Sequence, residues 1–82
     1  MTNRLETLTK LKQGYVTLEF TKADGSKRMM EATLADSELP SPMTLDEAQK
    51  AGSNVVVYER DTGFRTFNWA RLQTVDGEGF GG

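Results

Sequence analysis

The chain has no cysteine and no histidine. The first absence excludes a disulfide framework and thiolate metal sites. The second removes the commonest metal ligand and the commonest general base near neutral pH. Neither catalysis nor a cofactor nor a bound metal is therefore expected. Serines 26, 37, 41 and 53 fall in turns or a connector with no recognisable base beside them, which leaves no nucleophilic constellation to set against that expectation. No apolar run approaches the roughly 18 residues of a membrane span. The start, MTNRLETLTK, lacks the apolar core of a secretory signal. The expected setting is the cytoplasm, without membrane association.

An excess of basic charge is missing too: ten Lys and Arg stand against twelve Asp and Glu, for a net charge of −2. Domains that bind nucleic acid by bulk electrostatics usually carry a clear basic surplus. The distribution is more informative than the total. Residues 1–34 and 55–72 are net basic, whereas residues 35–54 and 73–82 are net acidic. One account is that acids solubilise flexible segments. The other is an acidic segment that competes with an anion for a basic face.

With 82 residues, the chain is read as one small domain, a size that buries roughly 60% of its unfolded surface. Leu5, Leu8 and Leu11 recur at helical spacing after the N-cap candidates Thr2 and Asn3, Lys10 and Lys12 favour the helix C-terminus, and Gly14 can end it in the left-handed conformation. A helix over 3–13 is expected, its leucine stripe lying on the sheet that follows. From Tyr15 the period becomes two: Val16, Leu18 and Phe20 alternate with polar residues, the pattern of a half-buried strand over 15–21. Asp24-Gly25 suits a tight hairpin. A returning strand over 28–34 then puts Met30, Ala32 and Leu34 on one face and Met29, Glu31 and Thr33 on the other, with one of the two methionines at a partly exposed rim.

Residues 35–53 form a long connector in which Pro40 and Pro42 prevent strand pairing. Thr44-Leu45-Asp46-Glu47 matches a capping box, so a short helix over 45–51 is expected before Gly52. The β-branched run at 54–59 reads as a central strand. Arg60 to Gly63 form a turn, and a strand over 64–68 returns with Arg65 and Phe67 on one face. Trp69 to Arg71 make a single tight turn before a last strand over 72–75. Residues 76–82, rich in glycine, are expected to be a mobile tail.

Five strands in two hairpins, with a long connector after the second strand and a tight turn before the fifth, is the order of an SH3-like small barrel. The fold class expected is thus mainly β, with an N-terminal helix and a short helix in the connector; the domain spans 1–75. The stretches VTLEFTKADGSKRMMEATL and VVVYERDTGFRTFNWARL resemble small SH3-like β-barrel proteins that recur in bacteriophages. The second also resembles the strand pair of WYL-type ligand-binding domains. The shared features are Phe20 to Arg28, Val57-Tyr58, Asp61, Arg65-Thr66-Phe67 and Arg71-Leu72, and the helix, connector and tail lie outside them. The WYL-type resemblance implies a regulatory domain, often one that senses nucleic-acid ligands. Val56-Val57-Tyr58 stands near the position of the Trp-Tyr-Leu signature, which itself is absent.

Four of the seven aromatic side chains and three arginines fall between Tyr58 and Leu72. The candidate binding residues are accordingly Arg28, Tyr58, Arg65, Trp69 and Arg71, with Lys22 and Lys27 from the first hairpin. Cations would take phosphates or carboxylates, and an exposed Tyr58, Phe64 or Trp69 would offer a stacking face. Against this, Phe20, Phe67 and Trp69 are also what a small core needs, and Arg28 and Arg65 can pair with Glu31, Glu59 or Asp61 across strands. The reading ranked first is a non-catalytic binding or regulatory module, a phage accessory protein docking on a host or phage protein or on a second copy of itself. The alternative is a protein that binds single-stranded nucleic acid or a nucleotide ligand.

Overall fold

The computed structural model describes residues 1–41, 43–49 and 52–81. The first helix forms as α1, Arg4–Gln13, and Asn3 caps it: its side-chain oxygen accepts from the Glu6 backbone N–H at 2.8 Å. Leu8 and Leu11 are buried, as is Thr7, but Leu5 is 70% exposed, so the inward stripe excludes Leu5, contrary to the even spacing. Gly14 follows at φ 158°, ψ −159° rather than in the left-handed helical region. The helix end is satisfied by the sheet instead. The Leu11 carbonyl, which has no partner within the helix, accepts from the Leu34 N–H at 2.9 Å and the Thr33 hydroxyl at 3.0 Å.

The strands are β1 (Val16–Thr21), β2 (Lys27–Thr33), β3 (Asn54–Glu59), β4 (Gly63–Asn68), β5 (Leu72–Val75) and β6 (Glu78–Gly79). Among the described residues they form one antiparallel sheet in the order β4-β3-β2-β1-β5-β6. The architecture is mainly β, as expected. The β1–β2 hairpin turns at Asp24-Gly25: Gly25 has φ 90°, and the Asp24 carboxylate accepts from the Ser26 N–H at 2.9 Å and its hydroxyl at 2.6 Å. These two bonds, hydroxyl first, hold the Asp24 carboxyl below its ordinary pKa of 3.8. Inward positions of both strands, Val16, Leu18, Met30 and Ala32, are buried, while Met29 is 63% exposed.

The connector helix α2 spans only Leu45–Ala48. Its capping box is complete: the Glu47 N–H donates to the Thr44 hydroxyl oxygen at 3.1 Å, and the Thr44 N–H donates to the Glu47 carboxylate at 3.2 Å. Ala48 is buried against the core. Helix was expected to residue 51; Gln49 already leaves helical geometry, and Lys50 and Ala51 lie outside the described residues.

The C-terminal segment departs most from expectation. Rather than trailing as a tail, Glu78 and Gly79 pair with Val75 and Thr74. Thr2 then bridges in parallel to Phe80, with its N–H donating to the Gly79 carbonyl and the Gly81 N–H donating to its own carbonyl, both at 2.9 Å. Glycine permits a mobile chain but does not require one, and here the backbone of this segment is fixed by pairing. Phe80 supplies the apolar anchor: its ring stacks on Trp69 with centroids 5.6 Å apart. Phe80→Ala is expected to lose about 1 to 2 kcal/mol, combining ring burial with the stacking contribution. Amide exchange at Leu72–Val75 should accelerate as β6 detaches. Unchanged exchange there would show that the ring does not hold this edge.

Candidate functional site

Strand alternation decides which charges meet. On β3, Val55, Val57 and Glu59 turn inward and are buried, opposite Phe67, Arg65 and Gly63 of β4. On β2, Arg28 stands opposite Phe20 of β1, on the same inward face as Met30 and Ala32. Arg28 and Arg65 therefore reach the interior from two hairpins at one mouth of the fold. Glu59 meets both. Its carboxylate accepts from Arg28 Nη2 at 3.0 and 2.8 Å and from Arg65 Nε at 3.2 Å. The carboxylate side chain is only 12% exposed, whereas the two arginines are 40% and 48% exposed. Of the two β4 residues that share this face, Phe67 is buried in the core and Arg65 lies at its rim over Glu59.

Beside this ion triad runs a groove of about 390 Å³ between the β1–β2 hairpin and the end of β4. Its charged lining consists of Lys22, Arg28 and Arg71, with no carboxylate. Phe20 and Phe67 form its floor and stack with centroids 6.0 Å apart. The register of β1 with β5 slips between Glu19 and Phe20, so that Phe20 faces Leu72. That slip brings Arg71, in the 3-10 turn Trp69–Arg71, beside the end of β1. Asn68 caps this turn by accepting from the Ala70 N–H at 2.8 Å, which leaves its amide nitrogen available as a donor. Cations, an amide donor and an apolar floor together suit an anion carried on a partly apolar ligand.

Of the sequence-derived candidates, Lys22, Arg28 and Arg71 line the groove, and Arg65 is joined to Arg28 through Glu59. Lys27 lies opposite Thr21, one position out of phase with Arg28, and so projects from the other face. Tyr58 is outward on β3, its ring edge-on to Phe64 at 5.3 Å. Trp69 is buried and unavailable for stacking by a ligand. It meets Phe67 edge-on at 5.7 Å and Arg4 at 5.5 Å from the ring centroid. Glu59 and Phe20 were not singled out as site residues, although Glu59 is the acid at an inward position of an otherwise apolar strand.

Asp36 pairs with Lys12 at 2.9 Å, on the helix side of the molecule. A larger hollow of about 480 Å³ is lined by Thr17, Met29, Met30, Glu31, Glu59 and Arg60, and its charged groups are already paired. Arg60 Nε donates to Glu31 at 3.0 Å, and its guanidinium lies 3.9 Å from the Tyr15 ring centroid. Partial removal from solvent, then the nearby Glu38 carboxylate, raises the Tyr15 pKa above 10.0 despite that cation. Among the described residues no cluster of three or more carboxylates is placed to hold a metal ion. Among the same residues no helix is long and apolar enough to cross a membrane.

A family model described as WYL_2, Sm-like SH3 beta-barrel fold, matches residues 5–73. The match takes in α1 and the connector as well as the two hairpins, and stops before β6. No curated protein and no solved structure matches the chain.

Proposed function

The chain belongs to the WYL_2 family, with its Sm-like SH3 β-barrel fold, and on that premise we propose that it is a non-catalytic module that docks on a protein through the groove beside β4. The observation that carries this reading is the groove's described lining, in which Lys22, Arg71 and Arg28, the last shared with Glu59, surround an apolar floor. A partner presenting acidic side chains fits that charge. The chain's own net charge of −2 favours a protein partner over a polyanion, because a long nucleic acid would also meet the acids outside the groove. The setting implied by the phage resemblance is an accessory role in the cytoplasm of a host, on a host or phage protein.

The immobilised protein should retain a discrete partner from host lysate, and the double variant Lys22→Glu, Arg71→Glu should lose it. Both residues are exposed and in turns, so the fold survives their exchange. Retention of nothing by the unmodified protein, or of the same partner by both forms, would count against docking through this groove.

A second reading has its own support: Phe20, partly exposed on the floor and ringed by cations, suits a base with its phosphates. Single-stranded nucleic acid would then bind at about 50 mM salt and weaken steeply as salt rises. Arg71→Glu and Arg65→Glu would abolish the complex. Absence of any shift with DNA or RNA oligonucleotides removes this reading.

A further inference from the structure

We propose that the open edge of β4, with the cationic groove crossing it, accepts an extended segment of a partner protein whose acidic residues alternate with apolar ones, added to the sheet as a further strand. This rests on the docking reading and names the chemistry of its partner.

Three observations lead there. First, the two sheet edges are treated differently. The edge beyond β5 is covered by β6 and then by Thr2, whereas β4 ends the sheet with no strand beside it among the described residues. An uncovered edge offers a row of backbone donors and acceptors, and proteins that do not use such an edge tend to blunt it with proline, charged side chains, an inward-pointing charge or a bulge. The six residues of β4, GFRTFN, contain no proline, their register with β3 is unbroken from Asn54–Asn68 to Glu59–Gly63, and their one charged side chain, Arg65, is drawn aside to Glu59.

Second, the groove crosses this edge rather than lying on one face of the sheet. Phe67 lines it from the inward face of β4; Thr66 and Asn68 line it from the outward face. An added strand would therefore lie in the groove itself. Third, the two faces beside such a strand differ in chemistry. The inward side carries Arg65 and Phe67 and, on the far wall of the groove, Arg28; the two arginines share the single carboxylate of Glu59. The outward side carries Phe64, 43% exposed, packed on Tyr58 and flanked by Thr66. Side chains of a strand alternate between faces. A segment with carboxylates at every second position would set them toward the arginines and its apolar residues against Phe64.

The test uses a capped synthetic peptide of alternating glutamate and valine, with a control of the same composition in which the glutamates are contiguous. Binding is followed by amide NMR and hydrogen exchange. The alternating peptide should bind, shift the resonances of Gly63–Asn68, Lys22 and Arg71, and slow exchange of alternate β4 amides. Charge reversal at Lys22 and Arg71 should weaken it at least about tenfold, and Phe64→Ala should weaken the alternating peptide more than the contiguous one.

Equal binding of the two peptides, without new amide protection, would reduce the site to a non-specific anion surface and overturn strand addition. Binding of an oligothymidylate but neither peptide would assign the groove to nucleic acid. Self-association through β4, seen by sedimentation and abolished by substitutions there, would assign the edge to a second copy. Loss of all peptide binding while lysate capture remains sensitive to the groove variant would overturn this inference and leave the docking reading standing.

Discussion

Trp69→Ala is expected to lose about 3 to 5 kcal/mol of stability, the range for removing a large aromatic side chain from a packed core. A domain of 82 residues has in total roughly 4 to 12 kcal/mol, at about 0.05–0.15 kcal/mol per residue. The variant should therefore be largely unfolded under mild denaturing conditions. The reason is position as much as size. Trp69 is 1% exposed and lies where three parts of the chain meet: Phe67 of β4, Phe80 of the C-terminal segment, and Arg4 of α1. Truncation leaves a cavity that no single neighbour can fill.

Trp69→Phe separates volume from polarity. The indole Nε1–H is buried and meets no acceptor among the described residues. An unpaired buried donor is a cost to the folded state, so its removal offsets part of the lost packing. The phenylalanine variant should retain most of the stability that the alanine variant loses. Urea unfolding followed by far-ultraviolet circular dichroism measures both. A loss below about 1 kcal/mol for Trp69→Ala would be incompatible with the packing described.

Glu59→Ala is the second large effect, with an expected loss of about 2 to 3 kcal/mol. Removing one member of a fully buried ion pair costs about 3 to 5 kcal/mol because the remaining charge is stranded. Here the arginines are roughly half solvated, and the figure is reduced accordingly. Alanine would leave Arg28 and Arg65 facing one another with no anion between them. Glu59→Gln keeps the shape and the hydrogen-bonding oxygen but removes the charge, and should lose less than the alanine variant.

The same two substitutions act oppositely on the groove. Glu59 neutralises part of the charge on Arg28, so its removal should strengthen binding of an anionic ligand while weakening the fold. Denaturant midpoints and ligand titration on the same samples would show these opposite signs. If both variants unfold within about 0.5 kcal/mol of the unmodified protein, a range typical of unremarkable surface sites, the ion triad has no structural role.

Local chemistry made much of the fold legible. Asn3 caps α1, Asp24-Gly25 turns the first hairpin, Thr44 and Glu47 close the capping box of α2, and period-two alternation selects Val16 and Leu18 for the interior. Each depends on residues within a few positions of one another. The structure departs from local pattern where distant partners decide the outcome. Leu5 has the spacing of a buried residue but no sheet beneath it. Residues 76–81 lack strand-forming composition, yet the uncovered edge of β5 and the face of Trp69 recruit them.

The candidate site divides along the same line. Composition and local pattern supply the chemistry: no thiol, no imidazole, a deficit of basic charge overall, and arginines in two hairpins. Alternation alone could put Arg65 and Phe67 on one face without saying which of them reaches solvent. Packing of the closed sheet brings the two hairpins to one mouth, where Glu59 draws Arg28 and Arg65 together. It also turned Trp69 and Tyr58 away from the cations they accompany in sequence. The physical reason is reach: capping, turns and alternation act over a few residues, whereas charge pairing and ring packing act between whatever the closed sheet brings within a few ångströms.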